Sequence, residues 1–364
     1  MATSMISATM KGSVLAVILH DICEEIRLEE LREILGAKRV ERGFKHATPE
    51  YVRFDKPPVV ERLDPVVLSS GETVSPQIKY YDYGVVSVLF QWGFEADWDA
   101  LVQLAARWVP NAELERQAQQ IIRGRLERIA PAIVRRYSEW LSEDYYIFLL
   151  SDVPGHPRGA DLLSQHGPEI AQVLRGEQTA LARSENADVV QASLSYYPND
   201  LVVVGWNAAL VYDTPSGAET SVQILEYANS QLLEFRHYDE LLTRELAGVY
   251  RSLKHRAGLW RRWRMRGEAL RLSGVTVEVT ELVERADTAI KFVSDMFSAR
   301  LYRLAAAKVG VPEYKNLVKE KLHTAESLYR ALIDEFHQSR GFVLELMVVI
   351  ILVIELVYLF RGKY

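Results

Sequence analysis

The feature that most constrains this sequence is a run of apolar residues close to its C-terminus, residues 342–360. Val, Ile, Leu and Met make up most of the run, and basic residues flank it on both sides. As a helix with a rise of 1.5 Å per residue it would be roughly 28 Å long, close to the ~30 Å hydrocarbon core of a bilayer. The run therefore predicts a C-terminal transmembrane helix within residues 341–364, a tail anchor, with a buried core helix as the alternative.

Two carboxylates interrupt this apolar run, Glu345 and Glu355. A carboxylate at the centre of a bilayer costs on the order of 3 kcal/mol, so each one needs an explanation. Glu345 lies one turn inside the boundary, whereas Glu355 is deeper and reaches toward Arg361 or faces another helix. We interpret both as candidate oligomerisation residues.

Residues 215–340 have apolar positions three and four apart, the period of helices that pack along one seam. Three helical runs are predicted, over 225–253, 279–304 and 318–336, and Asp239 is the one polar residue in the first seam. Gly310 ends the second run and Pro312 opens the third. The pattern predicts a long antiparallel, coiled-coil-like helical stalk in which Asp239 is a further oligomerisation candidate.

A basic loop is predicted within this stalk, at residues 251–271. Eight basic side chains against one glutamate give it a net charge of +7, and the total of −6 then leaves −13 for the rest of the chain. Tryptophans interleaved with arginines suit anionic lipid headgroups, or RNA through phosphate contacts and stacking; a solvated loop is the third possibility. The candidate lipid- or RNA-binding residues are Lys254, Arg256, Trp260, Arg261, Arg262, Trp263, Arg264 and Arg266.

The first part of the chain mixes strand and helix patterns, with a tail at residues 1–12 and a domain at 13–214. Residues 80–90 give the clearest strand signal, and 189–212 predict a hairpin. Residues 97–108 and 113–140 predict helices, the second broken at Pro131. The fold class is therefore α+β, a two-layer α/β sandwich with a mixed or antiparallel sheet.

Motifs that carry chemistry are scarce. The sequence has no phosphate-binding glycine loop, serine elbow or His-Glu-x-x-His pattern. Two Glu-x-x-His pairs, Glu234 with His237 and Glu320 with His323, resemble the ligand pairs of di-iron bundles. Both lie beside the predicted seams, so surface charge is the favoured interpretation. We predict no metal, no cofactor and no small-molecule substrate.

Cys23 is the one cysteine in the chain, which excludes an internal disulfide or a cysteine-based zinc site. No neighbouring basic residue in the sequence favours its thiolate, so we interpret it as a small buried hydrophobe. The N-terminus has no secretory signal pattern. The expected location of the domain and stalk is therefore the cytoplasmic side of a membrane, a prokaryotic inner membrane.

The order of a mixed domain, a helical arm and an apolar tail resembles the required-for-meiotic-nuclear-division family of membrane proteins. The resemblance covers roughly residues 80–360. It is carried by Tyr81-Asp82-Tyr83-Gly84-Val85-Val86, residues 90–98, the hairpin at 191–206, Glu226-Tyr227, Leu233-Glu234-Phe235-Arg236, Leu344-Glu345-Leu346 and Ile354-Glu355.

The resemblance implies a membrane-anchored protein that self-assembles and, as in mitochondrial members, is tied to translation. The family has no defined catalytic residues to carry over. The leading hypothesis is a non-enzymatic, tail-anchored scaffold that forms a homo-oligomer and contacts anionic lipid through its basic loop. A tether for RNA or the ribosome is one alternative, and a metal-dependent enzyme on the helical arm is another.

Overall fold

The computed structural model describes residues 9–36, 52–54, 56–68, 71–254, 259–288, 290–292 and 296–361. The chain divides into two units, which are treated separately below. Unit 1 comprises Met1–His237 and Glu284–Tyr314, and unit 2 comprises Tyr238–Val283 and Lys315–Tyr364. The boundary predicted after residue 214 thus falls inside unit 1.

Unit 1 is built on a large sheet. The described strands of the chain are β1 Met10–Ile26, β2 Val52–Phe54, β3 Val59–Arg62, β4 Val66–Val67, β5 Thr73–Tyr80, β6 Val85–Ala96, β7 Ile133–Asp152, β8 Ser193–Leu194, β9 Leu201–Val204, β10 Ala208–Tyr212 and β11 Ile290–Phe292. Nine of them form one sheet in the order β3-β5-β6-β1-β7-β10-β9-β8, with β4 also paired to β5, and β11 pairs with β2. The large sheet is mixed, because β10 runs parallel to β7 while its other described pairings are antiparallel.

The long strand β1 lies in the middle of this sheet, between β6 and β7. Its side chains alternate between the two faces, and both faces are buried. Val14, Ala16 and Ile18 belong to the apolar core under the first five helices, whereas the alternate residues Val17 and Leu19 are buried outside that core. The pairing of β1 with β7 shifts between Asp21 and Cys23, a β-bulge that locally re-aims the side chains.

The described helices are α1 Leu28–Leu35, α2 Trp98–Trp108, α3 Glu113–Ile129, α4 Gly159–Arg175, α5 Arg183–Gln191, α6 Pro215–Lys254, α7 Leu259–Thr288, α8 Met296–Val309 and α9 Val311–Arg361, with a 3₁₀ turn at Ala130–Ala132. Local chemistry sets several of their ends. The Asp97 carboxylate accepts a hydrogen bond from the Ala100 amide at 2.9 Å and so caps α2. Gly310, at φ +96°, ends α8 just before α9.

In unit 1, the part of α6 up to His237 packs on the sheet. The α6 residues from Ile224 to Phe235 are buried without interruption. Side-chain hydrogen bonds join Ser230 of α6 to Tyr83, and Glu226 to Ser87 on β6. This packing explains why the compact unit extends beyond the predicted end of the α+β domain.

Unit 2 contains the end of α6 together with most of α7 and most of α9. An apolar cluster from all three helices holds it together: Leu246, Val249, Ala269, Leu272, Ala325 and Leu332. Arg271 of α7 also pairs with Glu245 of α6 at 3.1 Å. The second helical run predicted from the sequence is not continuous, because α7 ends at Thr288 and α8 begins at Met296.

The predicted transmembrane helix is wrong, and with it the tail anchor and the membrane localisation. None of the helices in the part of the chain that the structure describes is long and apolar enough to cross a bilayer. The apolar side chains that the structure describes near the end of α9 run from Met347 to Tyr358. Glu355 interrupts this stretch, and placing its carboxylate in a bilayer would cost on the order of 3 kcal/mol.

Candidate functional site

One face of α6 in unit 1 carries polar and charged side chains into a buried environment. Glu226, Ser230, Glu234 and His237 are spaced four, four and three apart, so they lie along a single face of the helix. Their exposures are 0%, 0%, 2% and 9%. We call these four residues the polar stripe. Charged residues are almost never buried in this way unless they are paired, so the stripe is a candidate site.

Glu226 occupies one end of the polar stripe. Its carboxylate accepts hydrogen bonds from the Lys79 ammonium and, at 2.6 Å, from the Ser87 hydroxyl. Lys79 and Ser87 face each other across β5 and β6, so the sheet register brings both donors to one carboxylate. Tyr81 also hydrogen-bonds to Glu226, and burial is the main cause that raises the pKa of the Tyr81 phenol. Glu226 is therefore a buried charge with several partners.

Ser230 occupies the middle of the stripe. Its hydroxyl lies 2.8 Å from the Tyr83 hydroxyl and donates to the Tyr227 carbonyl at 2.8 Å. Tyr83 and Tyr81 stack with ring centroids 5.3 Å apart. Both tyrosines belong to the turn that ends at Gly84, where φ is +95° and an added Cβ would lie 1.7 Å from the Cys23 carbonyl oxygen. Only glycine fits there, so Gly84 sets how closely this turn approaches β1.

His237 occupies the other end of the stripe. Its Nδ1 lies 2.8 Å from Oδ2 of Asp21, whose side chain is 2% exposed. The Tyr137 ring of β7 stacks on the imidazole at 4.5 Å and 17°. Burial raises the pKa of Asp21, and the hydrogen bond from His237 opposes that rise. A buried aspartate that orients an imidazole is an arrangement suited to holding or moving a proton.

The nucleophiles near His237 are not activated. Burial raises the pKa of the Cys23 thiol, and the carboxylates of Asp21 and Glu234 raise it further. Burial likewise raises the pKa of the Tyr137 phenol, with Asp21 and Glu234 adding to the effect. Cys23 is buried and reduced, as the sequence predicted for a small buried hydrophobe. Covalent catalysis therefore has no support here.

The two Glu-x-x-His pairs differ in their surroundings. Glu320 and His323 are exposed on α9, as the surface interpretation expected. That interpretation is wrong for Glu234 and His237, which are buried against the sheet. Across the described ranges, no three His, Cys, Asp or Glu side chains are grouped so that they could hold a metal ion.

Asp239, the first of the predicted oligomerisation residues, is engaged within unit 2. The Lys321 ammonium of α9 donates to the Asp239 carboxylate at 2.5 Å, and donates to the Thr243 hydroxyl at 2.7 Å. The polar residue in the first helical seam thus has a cation from the same chain as its partner. The side chain of Glu345 lies outside the described residues, whereas Glu355 is exposed.

The predicted basic loop is largely helical. Lys254 is the last residue of α6, and Trp260, Arg261, Arg262, Trp263, Arg264 and Arg266 lie in the first part of α7. Arg256 lies outside the described residues, as do the side chains of the other seven. Binding of lipid or RNA by this segment stays a prediction.

The end of α9 in unit 2 shows the opposite arrangement, because its side chains are apolar and exposed. From Met347 to Tyr358 every residue except Glu355 is apolar, and the apolar side chains are 49% to 75% exposed. Such similar exposure at successive positions means that no side of the helix is covered. We call residues 347–358 the apolar segment. Exposed apolar surface of this kind marks an interaction site.

Comparison with known proteins places the sheet region in a family. The model of the family described as "Uncharacterized protein MJ0711, N-terminal domain" matches residues 11–219, more than half of the chain. The chain belongs to this family. It is also 17% identical over 188 residues to the uncharacterized protein MJ0711 of Methanocaldococcus jannaschii, covering 52% of this chain and 58% of that protein. No solved structure gives a significant match.

The region shared with the MJ0711 N-terminal domain family ends at residue 219, within the first turns of α6. The sheet strands that face the polar stripe therefore lie inside the shared region, whereas the stripe itself and the apolar segment lie beyond it. None of these matches tests the resemblance to the meiotic-nuclear-division family, which stays a prediction.

Proposed function

We propose that this chain is a self-assembling structural protein, and that the apolar segment of α9 is the surface through which copies associate. The observation that carries the proposal is the uniform exposure of its apolar side chains around the helix. Leaving such a surface in water is costly, because burying one large apolar side chain is worth about 1.5–3 kcal/mol. Several of these residues together offset the cost of association, an estimated ~4–15 kcal/mol.

A second copy of the chain is the partner that this segment fits best. A groove on an unrelated protein would cover one face, whereas these side chains need neighbours on all sides. Several copies of one apolar helix packed together give each helix neighbours on more than one side and so cover more of it than a single groove does.

Charge adds to this argument. Glu355 and Arg361 are both exposed, of opposite sign, and six residues apart. They are therefore about 9 Å apart along the helix axis. The long side chains of neighbouring copies can bring Glu355 of one chain to Arg361 of the next, which removes the cost of an unpaired carboxylate inside the assembly.

The test is the mass of the full-length protein in solution, measured by sedimentation and light scattering over a range of micromolar concentrations. We expect a discrete species whose mass is an integer multiple of the chain mass. Replacing Ile351 and Ile354 with aspartate should lower that mass to the monomer.

The matched control places two aspartates at exposed polar positions of the same helix, Asn316 and Ser327. This variant should keep the mass of the wild type. A wild-type protein that is monomeric throughout, or a control that dissociates as completely as the double isoleucine variant, contradicts the proposal.

A further inference from the structure

Asp21 and His237 form a buried titratable pair that the proposed assembly does not use. The two residues come from different elements, β1 and α6, and Oδ2 of Asp21 lies 2.8 Å from Nδ1 of His237. Tyr137 of β7 covers the imidazole face at 4.5 Å. The pair thus joins the helix to the sheet at the end of the polar stripe, next to the shift in the pairing of β1 with β7.

Other titratable and charged groups lie beside this pair or contact its neighbours, on each of the elements that pack here. They are Cys23 and Glu24 from β1, Arg135, Tyr137 and Glu143 from β7, Tyr83 from the turn before β6, and Glu234 and Arg236 from α6.

The cations in this set already have carboxylate partners. Arg135 pairs with Glu24 at 2.8 Å, and Arg236 pairs with Glu143. Asp21 and Glu234 act together on Cys23 and Tyr137 and give this part of the interior a negative potential. A proton on the Asp21–His237 pair is therefore electrostatically favoured.

The electrostatic cost of burying the Asp21–His237 pair depends on how many protons the pair carries, rather than on which atom carries them. A single shared proton makes the pair either two opposite charges or two neutral groups, and both forms suit a buried site. Its loss leaves a carboxylate that is 1% exposed beside a neutral imidazole. Oδ1 of Asp21 accepts no hydrogen bond from the residues that the structure describes, so it adds nothing to offset that charge.

We propose that Asp21 and His237 form a proton-dependent latch that holds residues 233–237 of α6 against β1. The latch is closed while the pair shares a proton and is weakened when the proton is lost. Upstream on α6, separate hydrogen bonds hold Ser230 to Tyr83 and Glu226 to Lys79 and Ser87. The opening is therefore local to the last turns of the sheet-packed part of the helix.

The test is amide hydrogen exchange of the full-length protein between pH 5 and pH 10, expressed as protection factors so that the intrinsic pH dependence of exchange is removed. In the wild type, protection of the amides of residues 233–237 should fall at least tenfold across one titration step. The amides of residues 224–230 should change less than threefold. The side-chain NMR signals of His237 should shift over the same pH range as the exchange step.

Two variants separate the latch from general loosening of the fold. Asp21→Asn keeps the shape but removes the titrating carboxylate, so protection of residues 233–237 should become independent of pH. Glu143→Gln weakens the neighbouring Arg236 contact and should keep the step. A step that persists in Asp21→Asn overturns the proposal.

Hydrogen exchange of the wild-type protein also tests the latch proposal if Asp21→Asn fails to fold. Uniform protection of residues 233–237 from pH 5 to pH 10 overturns the proposal, and so does a step at a pH where the His237 signals do not move.

Discussion

Helix α6 in unit 1 and the end of α9 in unit 2 place side chains in opposite and unexpected surroundings. The polar stripe of α6 buries two carboxylates and a histidine, whereas the apolar segment of α9 leaves its valines, leucines and isoleucines exposed. Each arrangement costs free energy unless a partner is present. In α6 the partners are in the same chain, from Lys79 and Ser87 at one end to Asp21 at the other.

The comparison shows where each helix obtains its stability. A buried polar helix depends on a few specific hydrogen bonds, and the loss of one partner leaves the other buried and unpaired. An exposed apolar segment has no such internal dependence and is stabilised only when another molecule covers it. Substitutions in α6 should therefore change the free energy of unfolding, and substitutions in the apolar segment should change association.

The largest effect is expected at Glu226. Replacing it with alanine removes the acceptor of Lys79 and Ser87 and leaves the Lys79 ammonium, 12% exposed, without its carboxylate. Breaking a buried ion pair in this way costs about 3–5 kcal/mol. Chemical denaturation of the full-length protein measures the loss.

The matched control for Glu226 is Glu219→Ala, an exposed glutamate on the same helix. Its cost should stay within about 0.5 kcal/mol. Equal losses in the two variants would show that the Glu226 contacts contribute nothing beyond the helix itself.

His20 is a buried titratable side chain on the face of β1 opposite to Asp21, and it tests how the free energy of unfolding depends on such a group. Burial lowers the pKa of His20 from 6.5 to about 4, so the folded protein binds this proton less readily than the unfolded chain does. Its contribution to stability is complete above pH 6.5 and is lost as the pH falls from 6.5 to 4. At about 1.4 kcal/mol per pKa unit the loss is about 3 kcal/mol.

The measurement for His20 is the exchange of the most protected β1 amides at several pH values between 7 and 4. Replacing His20 with leucine should flatten the acid loss by about 3 kcal/mol. His323→Gln changes an exposed histidine on α9 and should leave the pH profile of these amides unchanged. An unaltered profile in His20→Leu would refute the assignment.

Features set by local chemistry could be predicted from the sequence. Gly310 and Pro312 marked the end of α8 and the start of α9, and the helix predicted at 97–108 is present as α2. The prediction failed for residues whose local pattern did not decide between helix and strand. Residues 133–140 were predicted as helix after Pro131, yet β7 begins at Ile133, because the sheet offers this segment a central neighbour in β1.

The candidate site depends on contacts that no local pattern contains. Glu234 and His237 were recognised as a pair but assigned to the surface, because helical spacing gives the face of a residue and not what covers it. Their neighbour Asp21 lies more than two hundred positions earlier in the chain. The membrane prediction was also wrong: it was based on the hydropathy of a run that contains two carboxylates, and none of the described helices is long and apolar enough to cross a bilayer.

Glu355 sharpens the comparison in the apolar segment. It is the one carboxylate among the exposed apolar side chains of residues 347–358, and association must either pair it or remove it from water. Glu355→Gln removes the charge that the proposed assembly pairs with Arg361 of a neighbouring copy, so it should weaken self-association on the order of tenfold, about 1.4 kcal/mol. Sedimentation at several concentrations measures the change, with Glu320→Gln, an exposed glutamate in the first half of α9, as the control. Stronger association in Glu355→Gln would instead show that the carboxylate is left unpaired in the assembly.

The smallest effect is expected at Ser230, in the middle of the polar stripe. Ser230→Ala removes the partner of the Tyr83 hydroxyl, which is buried, and should cost about 1 kcal/mol in the free energy of unfolding. The matched variant Tyr83→Phe removes the other half of the same contact. If the two hydroxyls act only on each other, the double variant should cost less than the sum of the singles, because neither group is left buried alone. Strictly additive losses would mean that Ser230 and Tyr83 are stabilised by separate contacts, and that the stripe is less tightly coupled to the turn than their 2.8 Å separation indicates.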